Sequence, residues 1–204
     1  MEIKVAIQGI QGSFHHQVAH RYFGEAIGLD ECVTFRDVAN SLKNNLSDKA
    51  IMAIENSIAG AILPNYALID SYDLHIIGEH FLDIHMNLMV FPGQTIEEIQ
   101  EVHSHPIALL QCANFFSQHP HIKLVESSDT AIAAKRIQEN QLKGIGALGG
   151  PVAAEIYNLE IIANGIHTVK SNKTRFVVLK ASNKEIPKDL INKASVKFEL
   201  DDTP

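Results

Sequence analysis

Two cysteines, Cys32 and Cys112, are all that the 204 residues contain, which excludes a disulfide framework and fits a reduced, cytoplasmic protein. Basic charge is also scarce. Seventeen Lys and Arg stand against 24 Asp and Glu, a net charge of -7, so no broad positive field is available to hold nucleic acid. No apolar run approaches the roughly 18–20 residues that a membrane span needs. The first ten residues form a short alternating stretch running into Gly9 and Gly12, which is not a signal peptide. Neither nucleic acid nor membrane is therefore an expected partner. Internal repeats and low-complexity tracts are absent as well. What is present is an ordinary globular mixture, 46% hydrophobic and 20% charged, long enough to build one core or two without staples. Eleven histidines raise the question of a metal site.

Apolar runs of strand length alternate with segments of helical period, the pattern of an α/β protein whose parallel strands are joined by helices. Residues 3–7 read as a first strand, followed by a helix whose inward face is Phe14, Val18, Ala19, Tyr22 and Phe23 and which stops at Gly24. Strands follow at 32–35 and 50–54, with a helix between them that starts at Asp37 and carries Val38 and Leu42 inward. Another helical segment follows Ser57. The strand-like run 74–91 is too long for one strand, so it passes between subdomains, with the crossing near His85. A second set comprises strands at 102–104, 123–126, 145–148 and 160–163 and helices at 106–118, 129–139 and 151–157. After Gly165 the chain returns into a buried strand at 176–179. Subdomain 1 is thus residues 1–84 plus 166–182, and subdomain 2 is the insertion 85–165. Residues 183–204 read as a linker and one orphan strand, 194–200, expected to open a further domain that is cut away.

Polar clusters gather where a strand hands over to a helix: Gly12-Ser13, Glu55-Asn56-Ser57, Ser104-His105-Pro106 and Ser127-Ser128-Asp129-Thr130. In a parallel sheet these points share the carboxyl edge, where ligands bind, and helix N-termini there favour anions. Any one of these residues alone serves equally well as a helix cap. Four clusters at equivalent positions, with Asn56 at a strand end and Gln111 inside a helix, indicate an anion pocket. Arg175 opens a buried strand and so needs a carboxylate, from the protein or from a ligand.

These residues also carry a family resemblance. Gly9-Ile10-Gln11-Gly12-Ser13-Phe14-His15, Glu55-Asn56-Ser57-Ile58, Ser104-His105-Pro106 with Gln111-Cys112, Ser128-Asp129-Thr130-Ala131 and Asn172-Lys173-Thr174-Arg175-Phe176 come in the order and spacing of prephenate dehydratases. Over residues 1–180 the chain resembles that family, and the tail from Lys193 resembles the first strand of the regulatory ACT domain. Two positions depart from the family pattern: Ser13 replaces Thr and His15 replaces Ser, so His15 or His16 is expected to face the pocket.

The resemblance implies two α/β subdomains flanking a cleft, like a type II periplasmic binding protein, and an oligomer, either homodimer or homotetramer. It implies the conversion of prephenate to phenylpyruvate with loss of carbon dioxide and the ring hydroxyl, without a cofactor. Thr174 is then the catalytic residue, donating a hydrogen bond or relaying a proton to the departing hydroxyl. Arg175 would anchor a substrate carboxylate, preferably that of the pyruvyl side chain. Ser13, Asn56, Ser57, Ser104 and Gln111 would line the pocket, and Phe176 would support the ring, shape the wall or sit in the core. Arogenate, which carries an amino group and favours an extra acidic contact, is the alternative substrate, and a non-catalytic anion-binding domain is the alternative class. No acidic or cysteine partner accompanies the histidines at metal-ligand spacing, so no metal is expected. With the regulatory domain mostly missing, residues 1–204 are expected to be insensitive to phenylalanine.

Overall fold

The computed structural model describes residues 3–181, 191–194, 196 and 198. The first half of the chain runs β1 (Ile3–Gln8), α1 (Phe14–Phe23), β2 (Ile27–Cys32), α2 (Phe35–Lys43), β3 (Lys49–Asn56), β4 (Gly60–Ala61), α3 (Leu63–Ser71) and β5 (His75–Asp83). The second continues with β6 (Asn87–Val90), a 3-10 turn, β7 (Glu101–Ser104), α4 (Pro106–Gln111), α5 (Ala113–Phe116), β8 (Lys123–Glu126) and α6 (Thr130–Asn140). It closes with β9 (Ile145–Gly149), α7 (Pro151–Ile156), β10 (Glu160–Ala163) and β11 (Lys173–Lys180).

Two sheets result. The first has the order β2-β1-β3-β11-β5, with β4 hanging on β3, and the second the order β10-β6-β9-β7-β8. Strands β1, β2 and β3 are parallel, as are β7, β8 and β9. Neither sheet is parallel throughout: β11 runs antiparallel to β3 and β5, and β6 antiparallel to β9 and β10. These antiparallel strands are the segments by which the chain leaves the first sheet after Asp83 and re-enters it at Lys173. Alternate residues Leu82, Ile84, Met86, Leu88 and Val90 are all buried and carry one apolar cluster from sheet to sheet. Val5, Ile7, Val18, Ile51, Val102, Leu148 and Phe176 belong to the same cluster. Two further clusters fill the far faces, one under α2 beside Met52 and Val177, the other under α6 and α7 around Met89 and Ala147.

Several local expectations change. The strand expected at 32–35 is instead β2, five residues earlier in onset, because Asp30 within it has polar partners. The Asp30 carboxylate accepts from the hydroxyls of Ser41 and Ser47 and lies 3.7 Å from Lys4. Burial pushes Asp30 up, but these partners outweigh it and hold the carboxyl below its ordinary range. Helix α2 starts before Asp37: Thr34 is the cap, accepting from the Asp37 N–H at 3.1 Å while Asp37 accepts from the Thr34 N–H at 3.0 Å. The single helix expected over 106–118 is two, broken at Cys112, since the Gln111 carbonyl accepts from Thr168 N–H at 2.8 Å instead of continuing the helix. On α1 the buried residues are His15, His16, Gln17, Val18 and Ala19, while Tyr22 is 39% exposed.

The expected linker and orphan strand over 183–204 lie largely outside the described residues. Of these, Ile191–Ala194 approach β5, where Lys193 pairs with Glu79.

Candidate active site

Strand β3 ends at Asn56 directly opposite Thr174 at the start of β11, so both side chains leave the sheet on one face. The Asn56 carboxamide cannot rotate freely. Its oxygen accepts the backbone N–H groups of Ile58 at 2.9 Å and Ala59 at 3.0 Å. Its nitrogen therefore donates, to Thr174 Oγ1 at 2.9 Å and to Asn172 Oδ1 at 2.7 Å. Asn172 in turn donates from Nδ2 to Gln111 Oε1 at 3.1 Å, which ties the end of α4 in the second sheet region to β3 and β11 in the first. Thr174 is 8% exposed and Asn172 1%. Among the described residues no acceptor takes the Thr174 hydroxyl proton, so that proton remains to be given to something else.

The other expected site residues are placed differently. Ser57 latches the returning chain: its hydroxyl donates to the Ser171 carbonyl at 3.0 Å and accepts Lys173 N–H at 2.9 Å. Ser104 is fully buried and donates to the Leu148 carbonyl at 3.1 Å. Ser13 caps α1, accepting His16 N–H at 3.2 Å. None of the three joins the Asn56–Thr174 cluster. Phe176 is 1% exposed, edge-on to His15 with ring centroids 5.0 Å apart, and is a core residue.

Arg175 lies on the other side of the sheet. Its Nε donates to Glu79 at 2.9 Å, a second nitrogen lies 2.7 Å from the same carboxylate, and Glu55 is 3.8 Å away. The guanidinium carbon stands 5.8 Å from the centre of the Phe81 ring. Of the two carboxylate sources that the sequence leaves open, the structure fills this one with protein. On that face Arg175 is paired within the protein, while Thr174 leaves the sheet on the other.

His15 is buried inside the protein. It fills the space past the end of β1, where Nε2 accepts the Ala53 N–H at 3.3 Å while Asn65 donates to the Ala53 carbonyl at 2.7 Å. The two side chains replace a missing strand neighbour and hold the end of β3 that carries Asn56. Burial drives His15 down to about 3, so it is neutral. Asn65, the linking role of Asn172 and the role of His15 were not anticipated; the sequence signal for Asn172 is its place at the head of the block Asn172-Lys173-Thr174-Arg175-Phe176.

Asp129 caps α6, accepting Ala131 N–H at 2.7 Å, and its second oxygen lies beside Gly9 of the first sheet region. Gly9 has φ +92, and a Cβ there would stand 3.3 Å from that oxygen, so the close approach needs glycine. Burial raises the Asp129 carboxyl above its ordinary range against the pull of its two backbone donors. Among the described residues no group of three or more His, Cys, Asp or Glu is arranged to hold a metal ion.

The family model for prephenate dehydratase matches residues 5–184. The chain belongs to this family. A bifunctional chorismate mutase/prephenate dehydratase from Buchnera aphidicola is 33% identical over 186 residues, covering 89% of this chain and 48% of the relative. An arogenate dehydratase 2 from Petunia hybrida is 38% identical over 205 residues, covering 99% and 51%. The chain thus spans about half the length of the curated relatives it matches. Among solved structures, prephenate dehydratase from Arthrobacter aurescens in complex with L-Phe is 25% identical with a TM-score of 0.79, covering 87% of this chain and 60% of that one. GqqA, described as a novel type of quorum quenching acylase, is 29% identical with a TM-score of 0.78, covering 90% and 66%. The matched span takes in the whole Asn56–Thr174 cluster, and the α/β fold is that of the family.

Proposed function

We propose that this chain catalyses the decarboxylating dehydration of prephenate to phenylpyruvate. One observation carries the reading: Thr174 Oγ1 is occupied by the Asn56 amide, which leaves its proton to hydrogen-bond the departing ring hydroxyl. In the reaction the carbon–carboxylate bond breaks, its electron pair enters the ring, and the carbon–oxygen bond opposite releases hydroxide. Carbon dioxide and phenylpyruvate result. Aromatisation drives the step, so a hydrogen-bond donor at the leaving oxygen is the main demand on the protein. The Asn56–Thr174 cluster offers donors and no nucleophile paired with a base, which suits assisted departure and does not suit covalent catalysis.

Arogenate is the second reading, supported by the Petunia hybrida relative and by Asp129, a carboxylate between the two sheet regions that an ammonium group would satisfy. The test incubates the purified protein with each substrate separately and follows phenylpyruvate and phenylalanine. Phenylpyruvate from prephenate is expected; no turnover of either by folded protein removes the dehydratase reading. A homodimer or homotetramer in the cytoplasm belongs to the same proposal, and sedimentation of the purified protein checks the assembly.

A further inference from the structure

We infer that Asn172 is a positioning residue that orients the Gln111 end of the site to match the Thr174 end, an inference that rests on the dehydratase reading and deepens it. Carboxamides can be turned end for end, so most amide networks have no intrinsic direction. This one has. The N–H groups of Ile58 and Ala59 can only donate, so the Asn56 oxygen must face them and its nitrogen must face Thr174 and Asn172. The Asn172 oxygen is then committed to Asn56, and its nitrogen to the Gln111 oxygen. Gln111 consequently turns its NH2 group away from Asn172.

The relay begins on two backbone donors and ends on two groups whose donors take no acceptor among the described residues, the Thr174 hydroxyl and the Gln111 amide. A site presenting donors at both ends accepts anions and leaving hydroxide and disfavours groups that need an acceptor. Asn172 is the member that makes the ends agree, because it hydrogen-bonds both Asn56 and Gln111. It also joins α4 to β3 and β11, so the donors converge only when the two sheet regions are held together. Its burial keeps water from substituting for it.

The test is Asn172→Asp. The new carboxylate still accepts from Asn56 but cannot donate to Gln111, which must turn and spend its amide inward. Burial and a nearby anionic substrate raise this carboxyl, against the pull of the two amides that donate to it. Once protonated it again both accepts and donates. The expected result at pH 8.5 is a fall in kcat of about 10²-fold, with a smaller change in KM. The deficit against wild type should narrow as pH falls to 5.5, with enzyme-free conversion subtracted and circular dichroism reporting fold at each pH. Wild-type kcat at pH 8.5, or a deficit identical at every pH, overturns the inference. If the variant does not fold, Gln111→Glu takes its place: it keeps the oxygen that Asn172 bonds and removes the amide donors, and an unchanged kcat overturns the inference. If the wild-type protein turns over neither prephenate nor arogenate, the dehydratase reading falls separately. Polarity is then read by side-chain amide NMR, where Asn172→Asp must move the Gln111 pair as the carboxyl ionises; an unmoved pair overturns it.

Discussion

A threonine hydroxyl is a poor acid, so what Thr174 contributes depends on the atom that its oxygen faces. Here the Asn56 amide donates to that oxygen at 2.9 Å and leaves the proton without an acceptor among the described residues. Thr174→Ala should lower kcat about 10²- to 10³-fold, the usual cost of one donor to a developing oxyanion, while KM for prephenate changes little. Steady-state kinetics decide it: a collapse in binding with turnover retained at saturation would place Thr174 elsewhere in the reaction. Phe176 next but one is spent on the core against His15, so the three residues Thr174, Arg175 and Phe176, contiguous in sequence, have three different destinations.

Those destinations follow from β11 as an element. Alternation sends Thr174 and Phe176 to the face of the shared core and Arg175 to the face with Glu79 and Phe81. The register against β3 slips between Arg175 and Phe176, so Arg175 meets Glu55 while Phe176 meets Ala53. Arg175 thereby pins β11 to its edge neighbour β5. Arg175→Lys, which cannot span both carboxylates, should cost on the order of 1 kcal/mol in urea unfolding. Prephenate KM should stay at its wild-type value. A raised KM with unchanged stability would return Arg175 to the substrate.

For the whole molecule, enclosing polar α1 within the core has a pH cost. Burial lowers His15 to about 3, and burial together with His20 lowers His16 to about 4 against the pull of Glu25. Unfolded, each regains its value of 6.5. The neutral form is thus favoured by folding: the contribution is complete above pH 6.5 and is lost as pH falls from there toward the folded values. For His15 the slope is about 1.4 kcal/mol per pH unit. Urea midpoints should drop between pH 8 and pH 5, and His15→Leu should flatten that drop while lowering stability at pH 8. Equal wild-type midpoints at both pH values would show that His15 is charged or exposed when folded.

The sequence by itself determined the alternation of strands and helices, the passage between sheets near His85, the return before Thr174 and the ordered motifs of the family, because each is written in local periodicity or contiguous residues. Tertiary structure decided the rest. The hydrogen bond to buried His15, the break at Cys112, the face taken by Arg175 and the relay through Asn172 all depend on partners more than thirty residues away in the chain. A side chain's hydrogen-bond polarity and its exposure are properties of what folds against it, and no local pattern records them.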